Sequence, residues 1–229
     1  MFSAIILAAG SAQRMGGINK QLAELDGAPV YIRSALGFNA SDMVEEIIIA
    51  SPAGEAEHFA QLARAHGVTK LKCVAEGGAT RALSVKKALE AVSDGCAYIA
   101  IHDGARPLIT TADINRVLAD AERHGAAIAA SPATDTVKTA DSGFVADTPD
   151  RSRLYYAQTP QAFSKSLYLD CLERLGVQAE QLTDDSALIE RCGGKVWLTE
   201  LTACNMKITR HDDLAAAEAI YRSRKAAEK

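Results

Sequence analysis

The sequence has no long hydrophobic run, few aromatic residues and no excess of positive charge. Phe, Trp and Tyr make up 5% of its 229 residues, and the formal net charge is −4. Nucleic-acid-binding proteins usually present a basic face, so this charge argues against a nucleic-acid partner. No stretch approaches the roughly 20 apolar residues that a membrane helix needs, and the apolar segment 4–9 has no basic leader. We therefore expect a cytoplasmic protein with no membrane partner.

Paired cysteines are also missing. The five cysteines are odd in number, widely spaced and never arranged as C-x-x-C. Neither a disulfide framework nor a zinc site is therefore expected. Hydrophobic residues, in contrast, make up 48% of the chain, which is enough to build a full core. We expect one domain that spans residues 1–229.

Short apolar runs alternate with helical patterns along the chain. This alternation predicts crossover connections and an α/β fold with a mostly parallel sheet. Helix ends are also marked, since Thr110-x-x-Asp113 precedes one helical pattern and Gly125 follows it. Thr209-x-x-Asp212 precedes the last helical pattern. The apolar runs that predict strands are 4–7, 46–50, 71–75, 97–101, 126–130 and 195–199.

The segment 135–158 departs from this alternation. It contains no amphipathic helix, and short alternating pieces at 136–139 and 154–157 flank a turn-rich centre. We interpret it as a β-arm that projects from the sheet. An arm with open edges usually needs a partner to cover it, which favours a homodimer. The alternative is a hairpin that folds back in a monomer.

A loop of small residues, 7–17, follows the first predicted strand and is followed by Lys20. Backbone N–H groups of such a loop, at the carboxyl end of a strand, can approach phosphates closely. The loop is neither a Walker motif nor a G-x-G-x-x-G dinucleotide motif. Two cations accompany it, Arg14 and Lys20, although each alone could be an ordinary solvated charge.

Asp103 ends the fourth predicted strand, at the edge where open α/β sheets bind ligands. A carboxylate at this position can hold Mg²⁺, which prefers oxygen ligands and bridges to phosphates. His102 points to the opposite face of the strand, and we interpret it as structural. Arg106 begins the next loop, where its guanidinium either grips a phosphate or forms an ion pair at the start of a helix.

Seven segments of the chain, in order, resemble the 2-C-methyl-D-erythritol 4-phosphate cytidylyltransferases, a family of the non-mevalonate isoprenoid pathway. The resemblance covers nearly the whole chain. The family usually has a glycine where this sequence has Ala12. The segments are LAAGSAQRM with Lys20-Gln21, GGATRALSV from Gly77, HDGARP from His102, DTVK from Asp135, QTPQAF from Gln158, LTDDSALIE from Leu182 and NMKITRHDDL from Asn205.

The resemblance implies a modified doubly wound, Rossmann-like sheet, CTP as the donor, methylerythritol phosphate as the acceptor and Mg²⁺ as the cofactor. It also implies a homodimer with shared active sites, in which Arg106, Thr136 and Arg151 reach across from the neighbouring subunit. The implied catalytic residues are Arg14, Lys20 and Lys207, and the implied metal ligand is Asp103. The implied nucleotide-binding residues are Ala8, Ala9, Gly10, Gly78, Ser84 and Asp103. The implied acceptor-binding residues are Arg106, Thr136, Arg151, Thr159, Thr183 and Lys207.

Two of these residues have other readings from the sequence. Thr183 is also a natural N-cap for a helix that begins near Asp184. Lys207 lies on an extended segment, so its side chain points either into the cleft or into water.

Other functions remain open at this point. A related cytidylyltransferase acting on another polyol phosphate, such as ribitol 5-phosphate, would share the CTP half of the site. A non-catalytic nucleotide-binding relative would not need Arg14, Lys20, Asp103 and Lys207 together. An NAD-dependent oxidoreductase is disfavoured because the dinucleotide loop is missing. No serine or cysteine nucleophile is expected, since the acceptor phosphate is itself largely dianionic near neutral pH.

Overall fold

A seven-stranded mixed sheet forms the centre of the structure, a computed structural model that describes residues 1–10 and 19–227. Two short two-stranded sheets accompany it. The strands of the described residues are β1 (Phe2–Leu7), β2 (Glu24–Leu25), β3 (Ala28–Pro29), β4 (Val44–Ser51), β5 (Leu71–Glu76), β6 (Tyr98–Asp103), β7 (Ala126–Pro132), β8 (Thr139–Asp141), β9 (Phe144–Asp147), β10 (Tyr155–Ser164) and β11 (Trp197–Glu200).

Helices connect and flank these strands. Within the described residues, no helix is long and apolar enough to cross a membrane. In the part of the chain that the structure describes, two 3-10 segments, Arg151–Arg153 and Gly176–Gln181, accompany the α-helices. The α-helices are α1 (Val30–Asn39), α2 (Ala56–Ala65), α3 (Arg81–Leu89), α4 (Thr111–His124), α5 (Lys165–Leu175), α6 (Ser186–Arg191) and α7 (His211–Ala227).

The strand order of the large sheet is β11-β7-β10-β6-β1-β4-β5. β10 runs antiparallel to its neighbours β6 and β7, and the other pairings are parallel. The prediction of an α/β fold with a mostly parallel sheet is therefore confirmed. From β1 the chain continues to β4 on one side and later to β6 on the other. The carboxyl ends of β1 and β6, where Leu7 pairs with Asp103, thus mark a switch point of the kind that binds ligands.

The first strand shows why this sheet forms. All six residues of β1 are buried, as is typical of a parallel strand covered on both faces. Ala4 and Ile6 pack into the hydrophobic cluster on one face of the sheet, whereas Ile5 and Leu7 pack into the cluster on the other face. The alternation of side chains along a strand produces this division. The same alternation determines to which face of the sheet the last side chains of β1 point, just before the loop that follows.

Two predicted helix ends have different outcomes. The hydroxyl of Thr110 accepts a hydrogen bond from the backbone N–H of Asp113 at 3.1 Å, and Gly125 ends α4 with a φ of 82°, so both predictions for this helix are confirmed. The prediction for α7 is wrong by one residue. Asp213, rather than Asp212, accepts hydrogen bonds from the backbone N–H and the hydroxyl of Thr209.

The six apolar runs all lie in or overlap strands of the large sheet, whereas the central strand β10 was missed. The sequence predicted only a short piece at 154–157, as part of the arm. The structure extends this strand through Ser164, between β6 and β7. Pro160 interrupts it, and the pairing with β7 is irregular between Ala157 and Gln161. Because proline cannot donate to a strand ladder, the sequence there did not read as a central strand.

The arm contains the antiparallel hairpin of β8 and β9, whose residues are all exposed. Its tip carries Phe144, 80% exposed, and Val145, 65% exposed. The predicted strand piece at 136–139 is wrong except for Thr139, where β8 begins. The expected absence of an α-helix between residues 135 and 158 is confirmed, since only the 3-10 turn Arg151–Arg153 occurs there.

Candidate active site

The described start of the loop after β1 passes from a tightly packed residue to an exposed one. Ala8 is buried and its N–H donates to Ala50 O at 2.8 Å, whereas Gly10 is exposed. Gly77 packs against the same loop, since a Cβ atom at this residue would lie 2.3 Å from the Cβ of Ala9 and 3.1 Å from Ser51 O. The predicted catalytic residue Arg14 lies outside the described residues. The described part of the loop therefore lies against the carboxyl ends of β4 and β5.

The close contact at Gly77 gives a first prediction. Replacing Gly77 with alanine should displace Ala9 and raise the KM for CTP on the order of tenfold, with a loss of stability of about 1–3 kcal/mol from overpacking. Gly95→Ala is the matched control, because a Cβ atom there meets nothing within 4 Å. Steady-state kinetics and thermal unfolding measure both effects. Equal KM values for the two variants would show that the Gly77 contact does not shape the nucleotide site.

Asp103, at the end of β6, is the centre of a cluster of cations. Its Oδ2 lies 2.7 Å from Lys207 Nζ and 3.6 Å from Arg106 Nε, and its Oδ1 lies 3.7 Å from Arg81 Nε. The residue is only 9% exposed. Burial by itself would raise the pKa of Asp103, but Lys207, Arg81 and Arg106 outweigh it and lower the pKa to about 2. The carboxylate is therefore ionised at any physiological pH, and the three cations leave the cluster with an excess of positive charge.

Both predicted lysines lie near this cluster. Lys207 points to Asp103, so of the two orientations left open by the sequence the structure selects the cleft. Lys20 donates from Nζ to Ile208 O at 3.4 Å, which places it beside the segment that carries Lys207. Lys20, near the N-terminus, thus contacts the distant C-terminal segment that carries Lys207.

The position of Arg106 differs from what the family resemblance implied. It was expected to reach into the neighbouring subunit, yet its side chain is largely buried in its own chain, where it pairs with Asp103 and donates from Nη1 to Asn205 O at 2.8 Å. Its short distance from β6 explains this, because a residue three positions after Asp103 cannot extend far from it. Burial lowers the pKa of Arg106 more than Asp103 raises it.

Gly78 and Ser84 lie together at the start of α3. The hydroxyl of Ser84 accepts from Gly78 N at 3.0 Å and donates to Thr80 O at 2.9 Å. Thr80 caps the helix by accepting from Leu83 N. Ser84 is buried and its hydroxyl is engaged locally, so it shapes the glycine turn between β5 and α3. If this turn contacts the nucleotide, as the resemblance implies, the backbone groups of the turn would make the contact.

Thr159 and His102 support Asp103 from within the sheet. The Thr159 hydroxyl accepts from Asp103 N at 3.0 Å and lies 3.1 Å from His102 Nδ1. Both residues are buried, and the Thr159 hydroxyl is engaged with Asp103 and His102, so the acceptor-binding role that the resemblance implies for Thr159 stays a prediction. Burial lowers the pKa of His102 to about 4, which keeps the ring neutral near pH 7. The interpretation of His102 as structural agrees with this environment.

Two charged residues of the cluster were not identified from the sequence. Arg81 bridges Asp103 and Asp185, with its Nη1 2.6 Å from Asp185 Oδ2. Tyr168 donates its hydroxyl to the other oxygen of Asp185 at 2.7 Å. Burial would lower the pKa of Arg81, but the two aspartates raise it. Arg81 lies in GGATRALSV and Asp185 lies in LTDDSALIE, two of the segments that carry the family resemblance. The sequence signal that could have identified them is a charged residue in each segment to which no role had been assigned.

Thr136, Arg151 and Thr183 form no described ion pair with the residues of this cluster. All three are exposed, and Arg151 donates from Nη1 to Thr134 O at 2.8 Å within the arm. The N-cap prediction for Thr183 is wrong, because α6 begins at Ser186 and Asp184 accepts from Ala187 N instead. Across residues 1–10 and 19–227, no hydrogen bond or ion pair joins the three residues to Asp103.

Comparison with known proteins identifies the family of this chain. Residues 2–223 match the family described as 2-C-methyl-D-erythritol 4-phosphate cytidylyltransferase. A protein of that name from Bacillus cereus is 38% identical over 226 residues, which cover 98% of this chain and 100% of the relative. The bifunctional enzyme IspD/IspF of Anaeromyxobacter is 41% identical over 221 residues, which cover 95% of this chain and 56% of that protein.

Solved structures give the same result. The crystal structure of 4-diphosphocytidyl-2C-methyl-D-erythritol synthase from Anaerococcus prevotii aligns with a TM-score of 0.85 and 29% identity, covering 96% of each chain. The 2-C-methyl-D-erythritol 4-phosphate cytidylyltransferase of Thermus thermophilus aligns with a TM-score of 0.78 and 28% identity, covering 95% of this chain and 98% of that one. The chain therefore belongs to the 2-C-methyl-D-erythritol 4-phosphate cytidylyltransferase family.

Proposed function

We propose that this chain transfers CMP from CTP to 2-C-methyl-D-erythritol 4-phosphate, giving 4-diphosphocytidyl-2-C-methyl-D-erythritol and pyrophosphate, in isoprenoid precursor biosynthesis. Family membership supports the reaction. The observation that supports its location is the cation cluster on Asp103 at the switch point of the sheet, beside the loop that begins at Ala8. We also propose that residues 1–229 form a single domain.

The reaction sets one anion against another, because the acceptor phosphate attacks the α-phosphorus of CTP. Charge neutralisation and in-line positioning therefore supply most of the catalysis. Lys20, together with Arg14, stabilises the charge that builds on the α-phosphate and on the departing pyrophosphate. Lys207 and Arg106 attract and align the attacking phosphate. The backbone of Ala9 and Gly10 holds the triphosphate, whereas Ala8, whose N–H already donates to Ala50 O, supports the start of the loop. The turn at Gly78 faces the nucleoside.

Asp103 fits the role of a magnesium ligand. Its carboxylate is ionised and supplies the hard oxygen that Mg²⁺ prefers. The described residues contain no group of three or more His, Cys, Asp or Glu side chains that could hold a metal ion. This suits a metal held by one carboxylate, with phosphates and water as the remaining ligands. When bound, Mg²⁺ would neutralise phosphate charge, while Asp103 would also keep Lys207 and Arg106 in place.

The metal role gives a second prediction. Asp103→Asn should raise the Mg²⁺ concentration needed for half-maximal activity on the order of tenfold and lower the maximum, because an amide is a weaker ligand than a carboxylate. Asp170→Asn is the control, since Asp170 contacts only Arg174 on the exposed face of α5. A magnesium titration of pyrophosphate release measures the effect. An unchanged titration in a folded Asp103→Asn protein would place the metal elsewhere.

The arm supports a homodimer with shared active sites. Its exposed Phe144 and Val145 are apolar groups that a partner subunit would cover. Arg151 and Thr136 lie on this arm, separate from the Asp103 cluster of their own chain. We infer that they contact the acceptor bound to the partner. Thr183 would serve the acceptor from its own chain.

A pyrophosphate-release assay tests the proposed function directly. The four nucleoside triphosphates are each combined with methylerythritol phosphate and with ribitol 5-phosphate. Release only with CTP and methylerythritol phosphate is expected. Preference for ribitol 5-phosphate would support the related cytidylyltransferase instead. The absence of release in every combination, with CTP binding intact, would favour a non-catalytic nucleotide-binding protein.

A further inference from the structure

The C-terminal helix α7 packs against the segments that carry the catalytic cations. It begins at His211, three residues after Ile208, and therefore directly follows the segment of Lys207. Its apolar face includes Leu214, Ala217, Ile220 and Tyr221. These side chains belong to one hydrophobic cluster together with Leu25, Val30, Leu108 and Ile208. The helix thus covers the loop after β6, the hairpin of β2 and β3, and the extended segment before it.

Arg224 on this helix joins two of those segments. Its Nη1 donates to Leu108 O at 2.6 Å, and its Nη2 donates to Cys204 O at 2.7 Å. Leu108 lies two residues after Arg106, and Cys204 lies three residues before Lys207. Because the guanidinium presents its donors in a rigid fork, these two bonds fix the spacing between the two backbones.

Two further bonds connect the same backbones closer to Asp103. Ile208 N donates to Ala105 O at 2.8 Å, and the Arg106 side chain donates to Asn205 O at 2.8 Å. The two hydrogen bonds of Arg224 join the same two backbones at Leu108 and Cys204. The segment 204–208 is therefore held at several points, and Lys207 lies within it.

A second set of contacts holds the hairpin that follows Lys20. Lys225 Nζ lies 2.8 Å from Asp26 Oδ2 in the turn between β2 and β3. Arg33 Nη1 donates to the hydroxyl of Tyr221 at 2.9 Å, and its guanidinium carbon lies 4.9 Å from the centre of the Tyr221 ring. Arg33 also donates to backbone oxygens of the hairpin. One helix therefore contacts both the segment after Lys20 and the segment of Lys207.

We propose that Arg224 is a positioning residue that holds Lys207 and Arg106 in register with Lys20, although it does not itself contact Asp103. The inference rests on the proposed function, since it concerns the placement of cations around two phosphates. A displacement of about 1 Å in such a site can cost on the order of 100-fold in rate. Loss of the two Arg224 bonds leaves the cations present but less well placed, so turnover falls although no catalytic group has been removed.

Steady-state kinetics of matched arginine variants test this proposal. Arg224→Ala is expected to lower kcat on the order of tenfold and to raise the KM for the acceptor more than the KM for CTP. Arg224→Lys should recover part of kcat, because an ammonium still donates to one of the two carbonyls. Arg222→Ala is the control, since Arg222 is exposed on the same helix and, among the described residues, its hydrogen bond and ion pair are to Glu218. Arg222→Ala should match the wild type.

Hydrogen exchange of the full-length protein separates this proposal from the proposed function. Amides of 204–208, including that of Ile208, should exchange faster in Arg224→Ala than in Arg222→Ala, whatever reaction the protein catalyses. Arg224→Gln serves if the alanine variant does not fold. Unchanged exchange, or faster exchange with wild-type kcat, would overturn the positioning role. A wild type that releases no pyrophosphate would refute the proposed function alone, and exchange would still decide whether Arg224 holds this segment.

Discussion

Replacing Lys20 with alanine is expected to lower the turnover number on the order of 1,000-fold, with a much smaller rise in the KM for CTP. The ammonium group lies beside the Lys207 segment. In the proposed site, the charge on the phosphates increases there as the reaction proceeds. An interaction that strengthens in the transition state affects kcat more than substrate binding. Pyrophosphate release at saturating CTP and acceptor measures this effect.

Lys70→Ala is the matched control for that variant. Lys70 also donates from Nζ to a backbone oxygen, Ser41 O at 2.6 Å, but it lies in the connection between α2 and β5. It therefore reports the cost of losing a structural lysine bond to a carbonyl. If Lys20→Ala retained the turnover of Lys70→Ala, the role of Lys20 would be limited to holding the backbone at Ile208.

The features that the sequence predicted correctly are those decided over short distances in the chain. Six strands followed from short apolar runs, and the ends of α4 followed from Thr110, Asp113 and Gly125. Each depends on residues within a few positions of one another. β10 was missed because its place between β6 and β7 is decided by long-range pairing, while Pro160 locally argues against a strand.

In the candidate active site, too, the residues that were predicted have local sequence signals, and those that were missed depend on long-range contacts. Asp103 was predicted from its place at the end of a strand, and the structure surrounds it with cations. Arg81 and Asp185 were not identified, because their ion pair joins α3 to the start of α6 and has no local signature. Thr183 looked like an N-cap by residue type, but the chain places Asp184 at the start of that turn. Residue type alone does not decide which of two adjacent polar side chains caps a helix.

The proposed shared active site predicts that two inactive variants restore each other. Lys207 lies against Asp103 in its own chain, whereas Arg151 lies on the arm and is proposed to serve the partner. Homodimers of Lys207→Ala and of Arg151→Ala should each lose on the order of 100-fold in activity. Mixed dimers carry both lesions in one site and none in the other. After equal mixing and subunit exchange, about half of the dimers are mixed, so activity should recover to about a quarter of the wild-type value.

Pyrophosphate release before and after exchange measures this recovery, and two affinity tags on the parent chains verify that mixed dimers form. A mixture of Lys207→Ala with Lys20→Ala is the control, because both residues belong to the site of the same chain. Every site in that mixture carries one lesion, so its activity should stay at the parental level. If the Lys207→Ala and Arg151→Ala mixture also stayed at that level while mixed dimers formed, Arg151 would serve its own chain. The arm would then contribute to association of the subunits without donating a residue to catalysis.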